Sequence, residues 1–134
     1  MQYPIFIHKD EMSDYGVTVP DLPGCFSAGS TIEEAVENTK EAIECHLQGL
    51  LLDKDPIPLK NPLEYHLNNP EFKDAILARV EIDLSRISGK TTNINISLPE
   101  AFLKQFKEYT RLDGGNLSGF LIDAAMNFMA EHPC

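Results

Sequence analysis

The sequence is poor in the residues that build disulfide frameworks, metal sites and membrane spans. Its three cysteines, Cys25, Cys45 and Cys134, are odd in number and form no CxxC pair, so neither a disulfide framework nor a zinc site is indicated. No apolar stretch approaches the length of a membrane span, and the amino terminus has no long apolar run behind a basic flank. These absences predict a protein of the reducing cytoplasm that needs no cofactor and no membrane.

Basic residues are scarce as well, and the acidic excess is confined to the first part of the chain. The 134 residues include 11 Lys and Arg against 21 Asp and Glu, a formal net charge of −10. Sixteen of the acidic residues and six of the basic ones precede Ser85. An acidic unit of this kind is repelled by nucleic acid and favours a basic partner. The alternative is that the carboxylates only keep the protein soluble.

The first 84 residues predict the order β-β-β-α-β, with one helix on one face of a sheet. Ser30 and Thr31 precede Glu33 and Glu34 in capping-box spacing, which predicts a helix that runs to about Leu51. β-rich or alternating runs predict the four strands, at residues 3–8, 15–19, 25–28 and 75–84. Residues 85–91 are predicted to form a linker to a second unit.

The second unit, residues 92–134, predicts one strand and two helices. Side chains alternate from Thr92 to Leu98, which is typical of a half-buried strand. Pro99 ends that strand and suits the first turn of a helix, and the Gly114-Gly115 pair stops this helix. The second helix has apolar positions almost all round its axis. Because a lone strand has no ladder partner and the unit is small, we expect an obligate dimer with antiparallel strands, and pairing of dimers into tetramers stays open.

This order of strand, proline, helix, Gly-Gly and helix resembles the ribbon-helix-helix family of DNA-binding proteins, which insert a two-stranded ribbon into the major groove. The resemblance implies that outward-facing strand residues read base edges and that the start of the second helix grips phosphate. No Arg or Lys stands on the reading face, so affinity would depend on basic residues nearby. The implied DNA contacts are Asn93, Asn95, Ser97, Asn116, Leu117, Ser118 and Lys90. The alternative is that the polar strand face is the solvated side of an ordinary sheet.

The first unit resembles the HicB antitoxin family, on VTVPDLPGCFSAGSTIEEAVENTKEAI at residues 17–43 and PLEYHLNNPEFKDAILARVEIDLS at residues 62–85. The resemblance implies a fold like a partial ribonuclease H. It also implies a partner, because HicB proteins bind HicA, a small basic toxin that cleaves messenger RNA. The antitoxin would occlude the toxin's active site and repress the shared promoter. Acidic residues of the first hairpin and the following turn are the candidate toxin contacts: Asp10, Glu11, Asp14 and Asp21.

Nuclease activity is not expected from the first unit. A ribonuclease H site needs several carboxylates that converge on magnesium, and Asp10, Glu33 and Glu81 are available. Acidic residues are so abundant that some would converge by chance, and capping and solvation explain the helix glutamates better. The sequence therefore predicts no catalytic residue, no metal ligand and no enzyme. A free-standing transcriptional regulator whose first domain senses a small molecule is the alternative function.

Overall fold

The computed structural model describes residues 1–9, 14–87, 91–113 and 116–132. Within these residues the chain forms a mixed α+β fold. Its strands are β1 (Gln2–Lys9), β2 (Tyr15–Thr18), β3 (Phe26–Gly29) and β4 (Ile76–Glu81). Its α-helices are α1 (Ile32–Leu52), α2 (Leu63–Leu67), α3 (Glu100–Asp113) and α4 (Leu117–Glu131), and short 3-10 helices span Pro70–Phe72 and Leu84–Arg86.

The four strands form one antiparallel sheet in the order β3-β2-β1-β4. β1 lies in the middle, and its Phe6 is opposite Thr18 of β2 on one side and Leu77 of β4 on the other. The predicted succession of three strands, a helix and a fourth strand is confirmed, although β4 ends at Glu81, before the predicted Leu84. A 3-10 helix at Leu84–Arg86 takes in the last residue of the predicted strand and the start of the predicted linker, and Ile87 is buried.

The main core lies between the sheet and α1. Tyr3, Ile5 and Ile7 of β1 pack in one cluster with Ile43 and Leu47 of α1. Side chains of a strand alternate between the two faces of a sheet, so Phe6 points away from this cluster. Its ring stacks on Phe72, with 4.2 Å between the ring centroids. The central strand is therefore covered on both faces.

The predicted capping box starts α1. The Glu34 backbone N–H donates to Thr31 Oγ1 at 3.1 Å, and the Ser30 hydroxyl donates to the Glu34 carboxylate at 2.7 Å. Just before this cap, β3 approaches α1 so closely that a Cβ on Gly29 would lie 2.4 Å from the Ala35 nitrogen. Only glycine permits that contact, so Gly29 fixes the distance between the sheet edge and the helix.

The second unit has the two predicted helices but not the predicted strand. Residues 91–99 form neither helix nor β ladder, and every one of them is exposed; Ile94 and Ile96 are 77% and 59% exposed. The strand expected at 92–98 is not formed in the single chain, where no other strand among the described residues pairs with it and a strand needs a ladder partner for its backbone groups. The strand was expected to pair with a second copy of the chain, so it stays a prediction for the dimer. The β-α-α order of a ribbon-helix-helix unit is thus incomplete in one protomer.

Candidate nucleic-acid and partner interfaces

The positions expected to read bases lie on the exposed segment ahead of α3. Asn93, Asn95 and Ser97 are all exposed, and Pro99 accepts the first backbone bonds of α3 through its carbonyl. These side chains are accessible, but the single chain does not order them into one face. Lys90, the remaining candidate ahead of α3, lies outside the described residues.

The start of α4, where the phosphate contacts were expected, is a capped helix N-terminus. Asn116 is the N-cap: its side-chain Oδ1 accepts from the Gly119 N–H at 2.7 Å, and its backbone carbonyl accepts from the Phe120 N–H at 3.0 Å. Leu117 is half-buried and Ser118 is exposed. The first turn of a helix carries a partial positive charge and backbone N–H groups that favour an anion.

A carboxylate from the first unit already lies against this turn. Asn116 Nδ2 donates to Asp83 Oδ2 at 2.9 Å, while Asp83 Oδ1 accepts from the Ser85 hydroxyl at 2.6 Å and the Ser85 N–H at 3.0 Å. The Ser85 hydroxyl does most to hold the pKa of Asp83 below its usual value, and the Ser85 N–H, Asn116 and the Arg86 charge act in the same direction against partial burial. The carboxylate is therefore stabilised in its charged form.

A second polar contact joins the sheet to α4 further along the helix. The ammonium group of Met1 donates to the Ile82 carbonyl at 2.8 Å, to Glu81 Oε1 at 3.0 Å and to the Asp123 carboxylate. Neither Asp83 nor Asp123 was expected from the sequence to hold the two units together. Local pattern contains no signal for such contacts, since the partners are distant in the chain.

The helical unit exposes large apolar side chains. Among the described residues of α3 and α4, the most exposed large apolar side chains are Phe102, Tyr109, Leu112, Phe128 and Met129. Phe106 and Tyr109 of α3 contact Phe120 of α4, with 5.4 Å between ring centroids in each pair. The two helices thus pack on each other while their outer faces stay uncovered. Clustered exposed apolar surface of this kind marks an interaction site.

The acidic candidates of the first unit differ in position. Asp21 is only 2% exposed, and its Oδ1 accepts from His66 Nε2 at 2.7 Å and the Asn61 N–H at 2.9 Å. This corrects the expectation that Asp21 contacts a partner, because its carboxylate is turned inward to position α2. Asp14 is exposed, whereas Asp10 and Glu11 lie outside the described residues.

The exposed face of α1 is an acidic surface that the sequence-based candidates missed. Its carboxylates are exposed along the helix, at Glu33, Glu37, Glu41 and Glu44. Their helical spacing predicts that this face of α1 is exposed, but it does not predict whether water or a basic partner contacts the face. Among the described residues no group of three or more His, Cys, Asp or Glu side chains could hold a metal ion, and none of the described helices is long and apolar enough to span a bilayer.

Comparison with known proteins identifies relatives over nearly the whole chain. A family model described as the HicB-like antitoxin of bacterial toxin-antitoxin systems matches residues 3–125. A 14.9 kDa protein in the rep-hol intergenic region of Haemophilus phage HP1 is 44% identical over 129 residues, 95% of this chain and 96% of that protein. Antitoxin HicB of Escherichia coli K12 is 32% identical over 80 residues, 60% of this chain and 58% of that protein.

Solved structures agree with the sequence relatives. The antitoxin HicB of Burkholderia pseudomallei matches with a TM-score of 0.75 and 38% identity, over 96% of this chain and 98% of that one. A chain of a HicA3 and HicB3 toxin-antitoxin complex matches with a TM-score of 0.54 and 38% identity, over 62% of this chain and 99% of that one. The mixed α+β fold with its four-stranded antiparallel sheet is therefore shared with these antitoxin structures.

Proposed function

Because this chain belongs to the HicB-like antitoxin family of bacterial toxin-antitoxin systems, we propose that it binds a HicA-like, messenger-RNA-cleaving toxin in the cytoplasm, occludes the toxin's active site, and represses its own operon as a dimer. Its named relatives are antitoxins, and the chain is not an enzyme. The toxin would bind residues 1–84, which we propose to be a partial ribonuclease H fold, and DNA would bind residues 92–134, joined through a linker at 85–91.

Toxin binding rests on one observation above the others. A chain of a toxin-antitoxin complex is similar to 62% of this chain at 38% identity, and the acidic surface of α1 is exposed in this chain. Opposite charges on two proteins raise the rate of their encounter and align them. A basic toxin is the partner that this charge fits.

Toxin binding by the acidic face of α1 can be tested by charge reversal. The toxin affinity of an α1 variant is compared with that of a variant reversed at two glutamates outside α1. We expect the double variant Glu41→Lys/Glu44→Lys to bind the HicA-like toxin at least about tenfold more weakly, chiefly through slower association at low salt. The matched control is Glu100→Lys/Glu108→Lys on α3, whose carboxylates are also exposed. Equal loss in the two double variants would place the toxin elsewhere. A pull-down that recovers no small basic protein would contradict the proposal that this chain binds a toxin.

DNA binding is proposed from the exposed polar segment before α3 together with the anion-favouring start of α4. In a dimer, residues 92–98 of two protomers would pair as an antiparallel ribbon, a two-fold arrangement that places Asn93, Asn95 and Ser97 on one face. An Asn amide can donate to and accept from adenine N6 and N7 together. The remaining contacts would go to phosphate, so affinity should fall steeply as salt is raised.

Asn95→Ala tests base reading in this ribbon. We expect it to lose ~1–3 kcal/mol of discrimination at one base pair of the DNA upstream of its own gene, with non-specific affinity retained. The matched control is Asn127→Ala, an exposed asparagine on α4, which should bind as the wild type does. If Asn95→Ala binds the operator as the wild type does, Asn95 does not read a base.

The proposed dimer can be tested at the apolar residues that alternate with polar ones in residues 92–98. Ile94 and Ile96 are exposed in the single chain and would be buried between the ribbon and the helices of the dimer. We expect Ile96→Asn to be a monomer in sedimentation at concentrations where the wild type is a dimer. The control Lys73→Asn changes an exposed residue of the first unit. A monomeric wild type at all concentrations would contradict the ribbon.

A free-standing regulator with a ligand-sensing first domain is the second candidate function. The feature that favours it is a cleft of about 840 Å³ between the end of the sheet and α4, lined by residues that include Glu81, Asp83, Tyr109, Asn116 and Asp123. Clefts between packed units are common ligand sites. The pull-down separates the candidates, because a regulator of this kind would retain its DNA and have no stoichiometric basic partner.

A further inference from the structure

The end of the sheet closes over the first turn of α4. Asp83 follows β4, and its carboxylate accepts from the side chain of Asn116, the N-cap of α4. The approach is close enough that a Cβ on Gly119 would lie 2.8 Å from Asp83 Oδ1. Ser85 holds the same carboxylate from the other side. The N-cap that is proposed to meet phosphate is therefore engaged within the chain.

A phosphate and this carboxylate would compete for one place. Both are anions that the start of a helix attracts, and two negative charges in contact repel each other strongly when partly shielded from water. The Asn116 side chain has two N–H donors, and Asp83 Oδ2 accepts from its Nδ2 at 2.9 Å. A phosphate that approached the same Nδ2 would meet the Asp83 charge, so DNA binds this N-cap more weakly while Asp83 stays in place.

We propose that Asp83 is an autoinhibitory contact, an internal anion that occupies the phosphate-binding start of α4 and holds the chain in a state that binds DNA weakly. The inference rests on the proposed DNA-binding function and adds its regulation. The contact of the Met1 ammonium with Asp123, four residues beyond Gly119, keeps α4 on the sheet in this closed state. Any partner that favours the closed junction weakens DNA binding, and DNA in turn weakens that partner by the same factor.

The test measures DNA affinity of full-length variants on a duplex that carries the sequence upstream of its own gene. Asp83→Asn should bind about tenfold more tightly than the wild type at low salt, within the range typical of coupling between sites. Asp74→Asn is the matched control, because it removes the same charge from an exposed carboxylate at the other end of β4. If Asp83→Asn binds no more tightly than Asp74→Asn, the autoinhibitory contact is overturned.

Hydrogen–deuterium exchange of the wild type provides a second readout that needs no variant. The backbone N–H groups of Ser85, Arg86 and Ile87 donate within the 83–87 turn, and saturating DNA should speed their exchange while it protects the first turn of α4. Unchanged exchange at 85–87 in a DNA-bound chain overturns the inference and leaves DNA binding intact. If the wild type and both variants all fail to bind the duplex, the DNA-binding function is overturned together with it.

Discussion

Removal of the Asp21 carboxylate should cost the protein about 2–4 kcal/mol of its free energy of unfolding. Asp21 Oδ1 accepts two hydrogen bonds inside the protein, from His66 Nε2 at 2.7 Å and from the Asn61 N–H at 2.9 Å. A hydrogen bond to a charged group contributes about 1.5–3 kcal/mol, so the two together contribute roughly 3–6 kcal/mol. In Asp21→Ala both donors lose their acceptor while the site stays buried.

One contribution to the free energy of unfolding favours the Asp21→Ala variant. Asp21 Oδ2 is buried and has no hydrogen-bond partner among the described residues, and an unsatisfied buried polar atom destabilises a fold by about 1–3 kcal/mol. Alanine removes that atom and recovers part of the loss, which gives the net estimate. The loss is large beside a typical total stability of about 5–15 kcal/mol.

Urea unfolding followed by far-ultraviolet circular dichroism, at one fixed protein concentration, measures the change. With a slope of about 1–2 kcal/mol per molar urea, the midpoint should fall by roughly 1–4 M. Asp55→Ala, which removes an exposed carboxylate, should stay within about 0.5 kcal/mol of the wild type. The cycle with His66→Ala should show a coupling of about 1 kcal/mol or more. A loss below about 1 kcal/mol in Asp21→Ala would refute the reasoning.

Three further predictions follow from single contacts. Gly29→Ala should destabilise the fold by about 1–3 kcal/mol because its Cβ would meet Ala35 at 2.4 Å, whereas Gly49→Ala, with nothing within 4 Å, should stabilise α1 by about 0.5–1 kcal/mol; urea unfolding compares the two. Burial, with Asp21 and Asp123 nearby, raises the pKa of Tyr3 to about 12, so stability present below pH 10 should fall as pH rises toward 12, and Tyr3→Phe should lessen that fall in alkaline melts. The lowered pKa of Asp83 means that its contribution is complete above the ordinary carboxyl pKa and is lost as pH falls through the lowered value, so Asp83→Asn should flatten the acid limb of stability; an unchanged limb would contradict this.

The parts of the fold that were predictable from sequence depend on neighbours in the chain. The cap of α1 is an example, because Thr31 and Glu34 are three residues apart and their spacing alone specifies the bond. Strand alternation likewise indicated β4, although its last residues turn into a 3-10 helix where Asp83 accepts from Ser85. A short-range pattern predicts such elements well and their ends less well.

The parts that were not predictable depend on residues far apart in the chain. Asp21 looks like any acidic turn residue, and its partner His66 lies 45 residues later. Asp83 and Asn116 are 33 residues apart. Composition shows that a carboxylate is present, but it does not show whether that carboxylate accepts hydrogen bonds from water or from a buried donor. For the same reason the carboxylate at the start of α4 could be found only in three dimensions.

The proposed dimer would account for both the unpaired segment and the exposed helices of the second unit. Residues 92–98 lack a ladder partner among the described residues, and the helices beside them leave large apolar side chains such as Phe102, Leu112 and Phe128 uncovered. Full burial of one such side chain contributes about 1.5–3 kcal/mol. Several from each of two protomers would together offset an association cost of roughly 4–15 kcal/mol.

The proposed DNA binding would therefore require two separate changes in this chain. Dimerisation must order Asn93, Asn95 and Ser97 on one ribbon face, and it depends on concentration. Release of Asp83 must free the N-cap of α4, and it does not depend on concentration because both groups belong to one chain. A rise in protein level would therefore favour the ribbon but not the release of Asp83, so Asp83→Asn should tighten DNA binding without any shift in the concentration at which the dimer forms.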